Sequence, residues 1–262
     1  MKRTPEQIML QLVQTDRVWL FLDYDGTLAD FAPTPEFVEP DPAVVSTLDR
    51  LVRYPSFRIA VISGRALNQV RQLVPVADIW LAGTYGIEVQ LPDGTRIQRA
   101  DQRATRPDLE RLKPIWQQLI AHRAGFFLED KGWTLALHAR FASDDEAEEV
   151  LSAAEVTAID LAASNEFCVR QGQRFLEVGA TQANKGRSVE FILDRWAWSG
   201  ALPVYVGDDA NDEVAFEVIK DHQGLALLVA ESDRSTLADA RLASPRHTLG
   251  WLNAIADYFY LS

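Results

Sequence analysis

Short runs of apolar residues that end in polar clusters recur along the chain, and the first of them is the most informative. Val18–Leu22 contains five apolar residues with aromatic and branched side chains, which is typical of a buried parallel strand. Asp23–Thr27 follows directly. Asp23 and Asp25 are two residues apart, so they project to the same side of an extended chain. Considered alone, this segment also fits a solvated turn, because Asp, Gly and Thr are common turn residues.

Strand and helix patterns alternate through the first hundred residues and again after residue 184. Four prolines between Phe31 and Pro42 exclude a helix and predict a loop. Asp41 is predicted to cap a helix that begins at Pro42. An Asp93-Gly94 pair between alternating flanks predicts a hairpin. Strands that alternate with helices favour a parallel sheet, and its further predicted strands are Phe57–Ile62, Ile79–Ala82, Pro203–Val206 and Leu225–Val229.

Between these two parts the pattern changes to a helix, two strands, a second helix and two more strands. The helices are predicted at Pro107–Arg123 and Asp144–Ala163. This order favours an α+β unit with an antiparallel sheet, inserted into an α/β fold. We therefore predict a Rossmann-like, parallel-sheet α/β core formed by residues 1–105 and 181–262, and an inserted α+β cap domain formed by residues 106–180.

Composition narrows the classes of partner. The chain has 262 residues, 47% of them hydrophobic, and a formal net charge of −12. We do not expect an acidic chain to bind nucleic acid, because phosphate backbones require clustered Lys and Arg. Cys168 is the one cysteine, so no intrachain disulfide can form. No apolar run reaches membrane-spanning length and no signal peptide is evident. We expect a cytoplasmic protein without nucleic-acid or membrane partners.

Four polar clusters follow apolar runs, and three of them lie at the carboxyl ends of predicted parallel strands. Those ends gather on one edge of a sheet, where open α/β folds bind their ligands. Each cluster alone could be a helix cap, a turn or a solvated charge. Together, two acid clusters, a hydroxyl and a lysine favour a functional site. Its candidate residues are Asp23, Asp25, Thr27, Ser63, Arg65, Lys185, Asp208, Asp209 and Asp212.

The chemistry that suits this set is phosphoryl transfer through an aspartyl-phosphate. We expect Asp23 to attack phosphorus, and Asp25 to protonate the leaving sugar oxygen and then to accept a proton from water. Asp25 would need a pKa above the usual value of about 3.9 to carry that proton. Ser63 and Lys185 would hold the phosphoryl oxygens.

A hard cation must separate the acids from an anionic phosphate ester, and Mg²⁺ is the expected cofactor. Asp23 and Asp208, with a backbone carbonyl, are the preferred ligands. Asp25 and Asp209 are further candidates, and Asp212 is expected to lie behind the metal ligands.

These motifs together resemble those of the haloacid dehalogenase superfamily of phosphohydrolases, and the position of the insert resembles a type C2 cap. A closer resemblance is to the trehalose-6-phosphate phosphatases. It is carried by Asp23–Leu28, Ser63-Gly64-Arg65, Gly83–Glu88, Glu129–Gly132, His138–Arg140, Leu176–Val178, Asn184–Gly186, Gly207–Asp209 and Asp212-Glu213. The resemblance implies a haloacid dehalogenase-like core whose cap binds the disaccharide.

The same resemblance implies particular substrate contacts. Arg65 and the cap residues Glu129, Lys131, Arg140 and Glu177 are implied as substrate-binding, although the cap residues could also form surface ion pairs. Two further observations concern specificity. The family usually has Asn and His where this chain has Thr84 and Tyr85. His138 is expected to point away from the face of Arg140 and to be structural.

The function implied is Mg²⁺-dependent hydrolysis of trehalose 6-phosphate to trehalose and phosphate. Three alternatives stay open: a phosphatase for another sugar phosphate, such as a glucosyl- or mannosyl-glycerate phosphate or sucrose phosphate; a phosphomutase; and a non-catalytic subunit of a sugar synthase. We expect a monomer that binds a small sugar phosphate, and association with a trehalose-phosphate synthase is a further expectation.

Overall fold

The computed structural model of this chain describes residues 3–31, 38–162, 166–172 and 174–261. Half of the predicted proline-rich loop, residues 32–37, lies outside the described residues. The chain forms two compact units, Met1–Ile97 with Asn184–Ser262, and Gln98–Ala183. The sequence analysis divided the chain at 105/106 and 180/181. None of the helices in the described parts of the chain combines the length and the apolar composition that crossing a bilayer requires.

Helices and strands alternate through most of the chain. In order they are α1 (Pro5–Val13), β1 (Val18–Leu22), α2 (Pro42–Val52), β2 (Phe57–Ile62), α3 (Leu67–Leu73), β3 (Trp80–Gly83), β4 (Glu88–Gln90), β5 (Arg96–Gln98), α4 (Gln102–Leu119), β6 (Phe127–Asp130), β7 (Thr134–His138), α5 (Asp144–Ala162), β8 (Phe167–Gly172), β9 (Phe175–Ala180), α6 (Lys185–Arg195), β10 (Leu202–Gly207), α7 (Ala210–Asp221), β11 (Leu225–Val229), β12 (Ala240–Leu242) and α8 (Pro245–Leu261).

The first unit is built on a sheet with the strand order β12-β11-β10-β1-β2-β3-β4-β5. The strands from β12 to β3 run parallel, and β4 pairs antiparallel with β3. All five residues of β1 are buried, as expected for a strand covered on both faces. Leu22 at its end pairs with Val206 of β10 and Val61 of β2. This register brings the residues that follow β1, β2 and β10 to one edge of the sheet.

The second unit is an antiparallel sheet of order β6-β7-β9-β8 with α4 and α5 packed on it. Leu135, Leu137, Leu176 and Val178 face the helices in one apolar core. The alternate residues form the opposite face, where Ala136 pairs with both Glu129 and Glu177. A parallel α/β unit and an inserted α+β unit are the predicted fold class, which is thereby confirmed.

The bounds of the first helix of the second unit differ from the predicted bounds. Helix α4 begins at Gln102, where Asp101 accepts a hydrogen bond from the Arg103 N–H, and ends at Leu119, so the predicted span Pro107–Arg123 was wrong. Pro107 and Pro114 both lie inside this helix. A proline there removes a backbone hydrogen bond, and the burial of the apolar face of α4 offsets that loss.

The expectation that His138 points away from Arg140 stays a prediction, because β7 ends at His138. Residues two apart in a strand share a face, so His138 lies on the same side of β7 as Ala136, which pairs with Glu129 and Glu177. The ring stacks on Phe127 at a centroid distance of 4.3 Å, and its Nε2 lies 3.0 Å from Glu129 Oε2. His138 therefore belongs to the polar face of this sheet.

Strand β12 of the first unit, which pairs with β11, was not predicted, because three residues are too few to show a pattern.

Replacement of Trp116 by alanine should destabilise the second unit. Trp116 is completely buried, and its Nε1 donates a hydrogen bond to Thr157 Oγ1. Trp116→Ala should lower the free energy of unfolding by about 3–5 kcal/mol, measured by denaturant titration. The matched control is Ile115→Ala on the same helix, at a side chain that is 46% exposed, which should cost less than about 1 kcal/mol. Equal losses for the two variants would contradict this packing.

Candidate active site

Asp23 and Thr27 lie in a tight turn at the end of β1. The Asp23 N–H donates to the Val206 carbonyl (3.0 Å), which extends the pairing with β10 by one residue. Thr27 Oγ1 donates to Asp23 Oδ2 (3.1 Å) and lies 3.5 Å from Asp208 Oδ1. Gly26 has a φ of +79°, and a Cβ there would lie 2.3 Å from Asp208 Oδ2. A glycine is therefore required for the two acidic clusters to approach each other.

Lys185 is the first residue of α6, a helix that Asn184 caps by accepting a hydrogen bond from the Arg187 N–H. Its buried Nζ donates to Asp23 Oδ1 (2.8 Å) and to Asp212 Oδ1 (2.6 Å). Burial disfavours the charge, but the two carboxylates outweigh it and raise the pKa of Lys185 well above its usual value. The ammonium group therefore stays charged at neutral pH.

The acidic cluster after β10 is organised by its own backbone. Asp209 caps α7 by accepting hydrogen bonds from the N–H groups of Asn211 (2.8 Å) and Asp212 (3.2 Å). Asp212 is fully buried, and its Oδ2 accepts from the N–H groups of Asp208 (3.0 Å) and Asp209 (3.1 Å). With Lys185 donating to the other oxygen, Asp212 holds the loop and the lysine together.

Three carboxylates of this edge could bind a divalent cation: oxygen atoms of Asp23, Asp208 and Asp212 all lie within 4.8 Å of one another. Burial raises the pKa of Asp23 to about 8 and that of Asp208 to about 7. A cation with a preference for oxygen ligands would favour the ionised form of both groups. Asp212 is less suited to bind the ion directly, because both of its oxygens already accept hydrogen bonds.

Asp25 and Arg65 form a bidentate ion pair. Arg65 Nη2 and Nε donate to Asp25 Oδ1 and Oδ2, each at 2.7 Å. The Arg65 N–H donates to the hydroxyl of buried Ser63 (3.1 Å), so the residues after β1 and β2 are joined. Two of the metal ligands expected from sequence thus have other partners. Asp25 contacts the Arg65 guanidinium, and Asp209 contacts the N-terminus of α7.

Thr84 and Tyr85 follow β3 on the same edge of the sheet. Both have positive φ angles, 48° and 55°. The Thr84 N–H donates to the Arg65 carbonyl (2.7 Å), and the Tyr85 N–H donates to the Ser63 carbonyl (2.8 Å). These bonds hold the strained turn against the Ser63 loop.

The polar face of the second unit contains a cluster of Glu129, Lys131, His138 and Glu177. Lys131 Nζ donates to Glu177 Oε1 (3.1 Å) and lies 3.8 Å from Glu129 Oε2. Burial lowers the pKa of Lys131, but Glu177 and Glu129 outweigh this effect and raise it overall. The structure therefore brings together three of the four cap residues expected to bind substrate. Arg140 is exposed and lies two residues beyond the end of β7.

Sequence reasoning missed two residues that support the first site. Tyr205 lies within the apolar run of β10, and its hydroxyl donates to Asp212 Oδ1 (2.7 Å). Arg234 Nη2 donates to the carbonyls of Asp208 (3.3 Å) and Asp209 (3.0 Å). Neither residue belongs to a local motif, because each reaches the site through the tertiary fold.

Comparison with known proteins agrees with this arrangement. Residues 21–246 match the family described as trehalose-phosphatase. A probable trehalose-phosphate phosphatase of Sinorhizobium fredii is 32% identical over 239 residues, which cover 90% of this chain and 87% of that protein. The trehalose-phosphate phosphatase of Mycolicibacterium paratuberculosis is 33% identical over 248 residues, 91% of this chain but 62% of the relative's length. The chain thus spans less than two thirds of the length of the Mycolicibacterium relative.

A solved structure has the same fold. The C-terminal domain of the C. albicans trehalose-6-phosphate phosphatase superposes with a TM-score of 0.86 at 20% identity and covers 98% of both chains. The family match spans most of the chain and includes every site residue named above. Both bacterial relatives carry the name of the same family. The chain therefore belongs to the trehalose-phosphatase family.

Proposed function

We propose that this protein hydrolyses trehalose 6-phosphate to trehalose and phosphate through an aspartyl-phosphate formed on Asp23. The proposal rests on one observation: at the sheet edge, the buried Lys185 donates hydrogen bonds to both Asp23 and Asp212. Thr27 bonds Asp23 and lies beside Asp208. Family membership supports the substrate, since the relatives named above are trehalose-phosphate phosphatases.

In the first step Asp23 attacks phosphorus and the sugar 6-oxygen leaves. Thr27 and Lys185 each donate to one Asp23 oxygen, so the carboxylate is oriented before substrate arrives. The Lys185 ammonium and the Ser63 hydroxyl are proposed to stabilise the negative charge on the phosphoryl oxygens.

Asp25 is the proposed proton donor to the leaving oxygen and the proton acceptor from water in the second step. Both of its oxygens accept hydrogen bonds from Arg65. Asp25 can therefore donate a proton only after one of these bonds breaks. Arg65 is proposed to exchange this contact for an oxygen of the substrate, which couples substrate binding to release of the acid.

Asp23 and Asp208 are proposed to hold the cofactor, Mg²⁺, with Asp209 as a further candidate. The ion would supply positive charge that offsets repulsion between the carboxylates and the phosphate dianion. The ligands fit a hard cation, because all are carboxylate oxygen atoms, and Asp208 Oδ2 lies beside the Gly26 turn. Asp212 is proposed to support this set through its bonds to the Asp208 and Asp209 N–H groups.

The polar face of the second unit is proposed to bind the sugar. Two hydrogen-bond acceptors, Glu129 and Glu177, both pair there with one donor, Lys131. Sugar hydroxyls, which both donate and accept, can replace such pairs without leaving a buried charge unpaired. Monomeric state and association with a trehalose-phosphate synthase stay predictions.

A sugar-phosphate panel tests the proposed substrate. Phosphate release should be fastest with trehalose 6-phosphate in the presence of Mg²⁺, because its second sugar ring offers further hydroxyls to the proposed sugar-binding residues. Glucose 6-phosphate should be at least about 100-fold slower in kcat/KM. Sucrose, glucosyl-glycerate and mannosyl-glycerate phosphates complete the panel. Equal rates on all of them would leave only a general phosphatase. An isomeric sugar phosphate without free phosphate would indicate a phosphomutase, and no turnover of any substrate would favour the non-catalytic alternative.

Binding of Mg²⁺ should depend on pH. Because the pKa values of Asp23 and Asp208 are raised to about 8 and about 7, both groups carry protons at pH 6 in the metal-free protein, and the ion must displace them. Affinity measured by titration calorimetry should therefore increase between pH 6 and pH 8, by up to about tenfold per pH unit for each proton released. Asp208→Asn should weaken binding and flatten this dependence. A constant affinity across the range would contradict the assignment of these ligands.

A further inference from the structure

Tyr205 is a buried residue of β10 to which the proposed reaction assigns no role. Its ring lies in the apolar core that contains Trp19 and Phe21, and it meets Phe216 edge to face at a centroid distance of 5.7 Å. On the neighbouring strand β1, the residue paired with Tyr205 is Phe21. A phenylalanine at position 205 would fill the same space, so packing alone does not require the hydroxyl.

The Tyr205 hydroxyl has a specific partner. It donates to Asp212 Oδ1 at 2.7 Å, and Lys185 Nζ donates to the same oxygen at 2.6 Å. The second oxygen of Asp212 accepts from the N–H groups of Asp208 and Asp209. Four donors thus fix this buried carboxylate, and the hydroxyl and the ammonium share one of its oxygens.

We propose that Tyr205 is a positioning residue, whose hydroxyl shares Asp212 Oδ1 with Lys185 and thereby keeps the Lys185 ammonium directed at Asp23. The inference rests on the proposed function, in which Lys185 stabilises the transferring phosphoryl group. Without the hydroxyl, Asp212 Oδ1 keeps one donor fewer and attracts the ammonium more strongly. The bond from Lys185 to Asp23, 2.8 Å long, weakens in consequence.

The variant Tyr205→Phe removes one oxygen atom and preserves the ring. With trehalose 6-phosphate and Mg²⁺, it should reduce kcat about tenfold, the effect expected of one hydrogen bond to a charged group, and leave KM within about twofold. The matched control is Tyr54→Phe, which removes a hydroxyl that donates to the Ala256 carbonyl (3.2 Å) on the far side of the first unit. Both variants should lower the unfolding temperature slightly, and Tyr205→Phe alone should lower kcat.

A double-mutant cycle identifies the route of the effect. If Tyr205 acts through Asp212, Tyr205→Phe should have no further effect on kcat in an Asp212→Asn background. An unchanged kcat for Tyr205→Phe, a change in KM alone, or the full tenfold loss in the Asp212→Asn background would each overturn the proposal. If Asp212→Asn does not fold, the kcat and KM values of Tyr205→Phe alone decide whether the proposal stands.

The same assays separate failure of this inference from failure of the proposed function. Wild-type protein that releases no phosphate from trehalose 6-phosphate refutes the function. Comparison of wild type with Tyr205→Phe on p-nitrophenyl phosphate still tests the positioning role in that case, since the surrogate needs only the phosphoryl-transfer groups. Equal kcat values on the surrogate refute the positioning role.

Discussion

The Lys185 ammonium, buried between the carboxylates of Asp23 and Asp212, is the interaction on which the rest of the site depends. Moving charged groups out of water is costly, and such a cluster persists only where each charge is paired and hydrogen-bonded. Lys185 bonds both acids, and Asp212 also accepts from Tyr205 and from two backbone N–H groups. Removal of Lys185 would leave two buried carboxylates without their cationic partner.

This constraint explains several local features. Lys185 begins α6, so the helix fixes where its side chain starts, and Asn184 fixes where the helix starts. Asp212 lies in the first turn of α7, which Asp209 caps. Gly26 and Gly207 have no side chain where one would meet Asp208 or Asp212. Helix caps and glycines thus hold three segments, distant in sequence, within hydrogen-bonding distance of one another.

Much of the first unit could be predicted from sequence, because its strands are continuous apolar runs and its site residues follow them directly. Asp23, Ser63 and Asp208 were placed on one edge by the order of strands and helices alone. Partners brought in by tertiary packing could not be predicted in this way. Tyr205 resembles any apolar strand residue, and the Arg65–Asp25 pair joins residues forty positions apart. In the second unit, the helix predicted to begin at Pro107 begins at Gln102, because the Asp101 side chain caps it there.

Asp23 is the proposed nucleophile, and chemical trapping tests this role most directly. Wild-type protein is mixed with Mg²⁺ and trehalose 6-phosphate labelled at phosphorus, quenched in acid within milliseconds, and digested for peptide mapping. The label should be found on the peptide that contains Asp23. It should be absent from Asp23→Asn, which should keep its fold, and unchanged in the control Asp16→Asn, at an exposed residue before β1. Label on another residue, or turnover by Asp23→Asn at a near-normal rate, would contradict the account.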